Sequence, residues 1–170
     1  GPNYLRQYTL TVDIATGQSI TDLDVTDLLP DNIQFVSIDA STTTGYSATS
    51  TPSASTPGGT LTLRYASVTG TSSTADVKVV FNFYVPRLDA SSGAVINATS
   101  GDDVTSSNIA WGSATWTPDD PRDTPTTVSS DATCPTCPPL HTLTDKSIAI
   151  QKSVANKTDS NNDSPGDTLE

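Results

Sequence analysis

Apolar and polar residues alternate along most of the chain, the pattern of strands with one buried face. In YTLTVDI, residues Tyr8, Leu10, Val12 and Ile14 fall on one side and Thr9, Thr11 and Asp13 on the other. A Thr-Gly turn at 16–17 leads into SITDLDVTDLLP, which carries Ile20, Leu23 and Val25. Beyond Pro30, IQFVSI supplies Ile33, Phe35 or Val36, and Ile38. Residues 39–59 hold one aromatic, Tyr46, among small polar residues, and read as a long loop or frayed edge. Alternation resumes in TLTLRYASV and is strongest in VKVVFNFYV, where Val77, Val79, Phe81, Phe83 and Val85 oppose Lys78, Asn82 and Tyr84. AVINATS and NIAWGSATWT add two more strands, the second placing Ile109, Trp111, Ala114 and Trp116 in the core or between sheets. About seven or eight strands and no convincing helix predict an all-β chain, an immunoglobulin-like antiparallel β-sandwich.

From 117 to 145 the alternation stops, and six prolines with several acids read as a linker. Alternation returns in SIAIQKSVANKT at Ile148, Ile150 and Val154. The predicted organisation is a sandwich module at 1–128, a Pro- and Cys-containing linker at 129–145, and a strand segment at 146–170.

Composition sharpens the all-β reading. Of 170 residues, 22 are Ser and 29 Thr, and β-branched Thr suits a half-exposed pleated surface better than a helix. The net charge is −11, carried by 18 Asp against the single Glu170; Asp favours turns and offers hard oxygen ligands. The eight bases are scattered, which argues against nucleic acid and against an anionic membrane surface. No stretch approaches the roughly 20 apolar residues that a membrane span requires, so no membrane insertion is expected. Gly1-Pro2, in a chain without Met, resembles the scar of a tag-cleaving protease and predicts an excised piece of a longer protein.

Two stretches carry a resemblance. The run YTLTVDIATGQSITDLDVTDLLPDNIQFVS at 8–37 is similar to the bacterial surface-repeat family called domain of unknown function eleven, with Asp27, Leu29, Pro30, Phe35 and Val36 in register. The run IAIQKSVANKTDSNNDSPGDTLE at 148–170 resembles the start of the same repeat, up to its "PGDTL" motif. The resemblance implies that 146–170 is the first strand or two of a following repeat. The alternative is a strand that packs back on residues 8–14. It further implies modules strung together in exported or surface-anchored proteins, serving as spacers, adhesive units, or both.

Several side chains are candidates for chemistry. In KTDSNNDSPGDTLE, Asp159, Asn161, Asp163, Pro165, Asp167 and Glu170 occupy positions 1, 3, 5, 7, 9 and 12 of a calcium loop, with calcium as the implied cofactor. Ser164 stands where the sharp turn normally takes Gly, and a solvated Asx-rich turn is the competing reading. Cys134 and Cys137, four residues before His141, are one ligand short of a structural zinc site, and a local disulfide in an exported linker is the stronger expectation. An amide between lysine and asparagine side chains would need a buried Lys, an Asn and a neighbouring acid. Lys78 and Lys152 are strand lysines, with Asn82, Asn97 and Asn108 as acceptors, but Lys78 lies opposite the apolar face and is expected in solvent.

The remaining motifs weigh little. Glycosylation triplets at Asn97, Asn156 and Asn162 match chance in a chain this rich in Ser and Thr. Trp111, Trp116, Tyr46, Tyr65 and Tyr84 could form a sugar-stacking platform, though alternation favours the tryptophans as core. The sole histidine sits among prolines, and Asp102-Asp103 and Asp119-Asp120 read as solvated turns, so no enzyme is expected. The expected function is a non-catalytic structural or adhesive module of an extracellular or cell-surface protein, partnered by neighbouring repeats. The alternative is a module that binds a surface glycan or a protein.

Overall fold

The computed structural model describes residues 4–86, 104–118, 120–130 and 140–143. Ten strands occur there: β1 (Arg6–Val12), β2 (Ser19–Leu29), β3 (Gln34–Ile38), β4 (Tyr46–Ser50), β5 (Gly59–Thr69), β6 (Val77–Tyr84), β7 (Val104–Ser107), β8 (Ile109–Trp116), β9 (Thr126–Ser129) and β10 (Leu140–Leu143). They form an antiparallel three-stranded sheet, β1-β6-β3, an antiparallel five-stranded sheet, β4-β5-β2-β8-β9, and a β10-β7 ribbon. The described residues are all-β, without a helix.

One apolar core joins the two larger sheets. From β6 it takes Val77, Val79, Phe81 and Phe83, and from β2 it takes Ile20, Leu23, Val25 and Leu29. All five positions of the alternating face in VKVVFNFYV are at most 1% exposed, as the pattern predicts. The Phe35 or Val36 alternative resolves for Phe35, which is 4% exposed against 37% for Val36.

Ile20 and Leu23 are both buried although three residues apart, which an unbroken strand of period two forbids. A bulge reconciles them. The pairing of β2 with β8 shifts register between Thr21 and Asp24, and Asp22 adopts a left-handed φ of 51°. Aspartate tolerates that conformation better than most residues, so the bulge restores the inward parity of Leu23, Val25, Asp27 and Leu29.

The 39–59 stretch, expected as loop or frayed edge, contains β4. Tyr46 meets Tyr65 edge-on at 6.1 Å, and Tyr65 donates to the Thr43 carbonyl at 3.0 Å. The preceding turn is tied to β6 by hydroxyls: Thr42 donates to the Val80 carbonyl at 2.9 Å and accepts from the Val80 amide at 3.0 Å. The stretch read as a linker likewise contains β9, paired with β8, and β10, paired with β7. Short polar strands at sheet edges carry too little apolar alternation to announce themselves. The AVINATS segment lies outside the described residues.

The turn between β1 and β2 leans on Gly70, which follows β5. The Gly17 amide donates to the Gly70 carbonyl at 2.9 Å, and the Gly70 amide donates to Gln18 at 2.8 Å. A Cβ at Gly70 would lie 2.3 Å from the Ala15 carbonyl oxygen and 2.4 Å from that of Ile14. Gly70→Ala must therefore displace backbone, and we expect a loss of about 2–3 kcal/mol, read as a lower urea midpoint. Gly112→Ala, whose Cβ would meet nothing closer than 3.7 Å, should change little in the same measurement.

Candidate functional site

Strand parity on β2 carries Asp27 inward between Val25 and Leu29, to zero exposure. Asn108, just before β8, is 1% exposed. The register of β2 on β8 sets Asp27 opposite Ala110 and Leu28 opposite Ile109, which brings Asn108 alongside. Its Nδ2 donates to Asp27 Oδ2 at 2.9 Å. Asp27 Oδ1 and Asn108 Oδ1 are buried without a hydrogen-bond partner. An acid within an apolar core is the least expected residue there, and buried polar atoms are nearly always paired.

Tyr8 on β1 faces this pair from the other sheet. Its ring stacks on Phe83 at 4.2 Å and lies 5.6 Å from Phe81. Burial pushes the Tyr8 phenol up to about 12, the Asp27 charge adds to that rise, and Arg6 opposes it. Burial likewise pushes the Asp27 carboxyl up to about 7, against the downward pull of the Asn108 hydrogen bond. The pair can thus hold or release a proton near neutrality inside a dry core.

Beside it lies an apolar cleft of about 480 Å³, lined among others by Leu10 and Val12 of β1, Leu23 and Val25 of β2, Ala114 of β8 and Val128 of β9. Small residues on β8 (Ala110, Gly112 and Ala114) leave the room. Among the described residues, β1 pairs only with β6, so its other edge is open along the cleft. Leu10 and Val12 are accordingly half-buried, although they lie on the inward face.

The candidates from the sequence sort unevenly. Asp159, Asn161, Asp163, Pro165, Asp167 and Glu170, with Cys134 and Cys137, lie outside the described residues, as do Asn97, Lys152, Asp102, Asp103 and Asp119. His141 is on β10, in register with Ser106. Asp120 pairs with Arg122 in an exposed turn. Lys78 is exposed on β6, as expected, and Asn82 is engaged by Gln7 at 3.0 Å and Ser37 at 3.1 Å. Trp116 is half-buried against the core and donates to Gln18 at 2.8 Å, Trp111 is half-buried at the cleft, and Tyr65 is in the core. Among the described residues, no three His, Cys, Asp or Glu side chains converge to hold a metal ion, and no helix is long and apolar enough to cross a membrane.

The buried role of Asp27 was not anticipated from the sequence, where the residue counted only as a register position of the family resemblance. The signal was present in the pattern 23, 25, 27, 29, an acid occupying an apolar parity. In comparisons with known proteins, no family model, no curated protein and no solved structure matches the chain.

Proposed function

We propose that the chain is a non-catalytic structural or adhesive module of immunoglobulin-like type, drawn from a repeat-containing cell-surface or secreted protein. The observation that carries this reading is mechanical. All seven residues of β1 pair antiparallel with β6, from Arg6↔Phe83 to Val12↔Val77. Tension applied at the start of the chain would load that ladder in shear, so that its hydrogen bonds would have to fail together. A chain rich in Ser and Thr, with a net charge of −11 that keeps it solvated, suits a spacer. The resemblance of residues 8–37 to a bacterial surface repeat supports the same assignment.

Single-molecule pulling on tandem copies tests it. A spacer should unfold in discrete, evenly sized steps, and the copies should bind no glycan or protein at micromolar concentration. Gradual yielding at low force would overturn the load-bearing role. Specific binding would favour a recognition module instead.

A further inference from the structure

We propose that Asp27 and Asn108 form a proton-operated latch. With a proton on Asp27 Oδ1 the two side chains close a ring of two hydrogen bonds, and loss of that proton to solvent releases the start of β8 from β2. The latch does not depend on whether the module serves as spacer or binder. The pattern of partners carries it. Asn108 Nδ2 donates to Asp27 Oδ2 at 2.9 Å, and the atoms left over, Asp27 Oδ1 and Asn108 Oδ1, are the other arms of the same two planar groups. Both are buried and both are oxygens. An anionic carboxylate only accepts, as does an amide carbonyl, so an ionised Asp27 leaves both unpaired. One proton on Oδ1 makes it a donor to Asn108 Oδ1 and satisfies the two at once. Turning the amide over exchanges the bonded carboxyl oxygen but still leaves one oxygen on each group, so the need for the proton survives either orientation.

The surrounding elements offer no substitute donor. Leu61 of β5 and Ala110 of β8 stand opposite Asp27, and Val25 and Leu29 flank it on its own face of β2. Phe81 and Phe83 of β6 face it from the other sheet, with Tyr8 and Arg6 of β1 as the ionisable groups there. Arg6 acts on the Tyr8 phenol, whereas the Asp27 carboxyl responds to burial and to Asn108. Asp24, on β2 as well, is engaged by Arg64. His141, the sole histidine, lies on β10 in register with Ser106, and its imidazole must be separated from Asp27 by experiment.

The place of the pair in the fold makes it a latch. Asn108 is the single residue between β7, which ends at Ser107, and β8, which begins at Ile109. Just beyond it, Ala110 both pairs with Asp27 and lines the cleft, together with Gly112 and Ala114. On its far side β8 is backed by β9, four residues that are all exposed. The start of β8 therefore has room on one side and light support on the other. A carboxylate left among Val25, Leu29 and Leu61 must regain water, since an unpaired charge in an apolar core is costly. Parting the start of β8 from β2 admits that water from the cleft without unfolding both sheets. The rise of the Asp27 carboxyl to about 7, driven by burial, puts the release near neutral pH.

Carbon-detected NMR and amide hydrogen exchange of the full chain test the proposal together. The Cγ resonance of Asp27 should titrate near pH 7, and the Asn108 side-chain N–H resonances should move with the same midpoint. The Gly112 amide donates to Ser130, so the alternate amides of Ile109 and Trp111 point toward β2 and report the latch. Their protection factors, corrected for the base catalysis of exchange, should fall about tenfold per pH unit between pH 4 and 7, because opening is linked to release of one proton. They should also stay below those of Phe81 on β6 at every pH, the mark of a local opening. Asp27→Asn keeps a two-bond amide pair and should hold the Ile109 and Trp111 protection flat, while His141→Gln should leave the wild-type profile in place. An Asp27 midpoint in the ordinary carboxylate range, near 4, overturns the proposal in the wild-type chain alone, whether or not the variants fold. So does protection at Ile109 and Trp111 equal to that of Phe81 throughout, which would mean that only global unfolding frees Asp27. Loss of the pH dependence in His141→Gln would make the histidine the sensor and overturn it as well.

Discussion

Phe81→Ala should destabilise the fold by about 3–5 kcal/mol, the range for emptying a large aromatic from a close-packed core. Phe81 is fully buried at the middle of β6, the central strand of its sheet. Its ring sits 5.6 Å from Tyr8 and 6.2 Å from Phe35, one on each neighbouring strand, and 6.4 Å from Phe83 on its own. The neighbours are held in strand rotamers by their ladders and can close only part of the space left behind. Urea denaturation should therefore show a lower midpoint with an unchanged slope, since the surface exposed on unfolding barely alters. Val36→Ala, at a position 37% exposed, is the matched control and should stay within about 0.5 kcal/mol of wild type. A Phe81→Ala midpoint within that same margin would show that the core between the sheets does not hold the fold together.

What the sequence disclosed follows from how strongly each element depends on burial. The face of β6 was legible because every second residue is large and apolar and the strand is central, so parity and burial coincide. β2 was legible except at its bulge, where the spacing of Ile20 and Leu23 needed a left-handed Asp22 that no periodicity reports. The edge strands β4 and β9 are four or five residues of Ser, Thr and little else, held by ladders and side-chain hydroxyls instead of by a hydrophobic face. Their composition is that of a loop, and only the neighbour across the sheet makes them strands. The candidate site shows the converse problem. Aspartate was treated as a turn former and metal ligand because that is where it is usually found, yet on β2 strand parity overrides the preference and takes Asp27 into the core. Asn108 could be named as a possible acceptor, but its partner across the β2–β8 register could not be read from chain positions 81 residues apart.

The pH dependence of stability should run opposite to the usual acid denaturation over part of its range, because of Asp27. Its carboxyl titrates near 7 in the folded chain and near 3.8 when unperturbed, with burial as the main cause. Between those values the folded state holds a proton that the unfolded state has released, so stability falls as pH rises. This contribution is fully present below about pH 4 and is lost by about pH 7; its size is on the order of 4 kcal/mol, at about 1.4 per unit. The groups facing Asp27 leave that window clear. Asn108 does not titrate, and Tyr8, with Arg6 beside it, stays neutral up to about 12. Asp39, Asp76 and Asp120 act in the other direction at lower pH. Hydrogen bonds from Ser41, from Thr71 and from Arg122, respectively, hold their carboxyls below the usual range, so the stability they add is lost as pH falls through those depressed values. Wild type should therefore be most stable near pH 4 to 5 and weaken toward pH 7. Asp27→Asn keeps the shape without the titration and should flatten that limb. The slope is the quantity to compare, because altering the hydrogen bond between Asp27 and Asn108 would displace the whole Asp27→Asn curve without tilting it. Equal slopes for wild type and Asp27→Asn between pH 4 and 7, in urea melts at constant ionic strength, would mean that Asp27 is not buried as an acid.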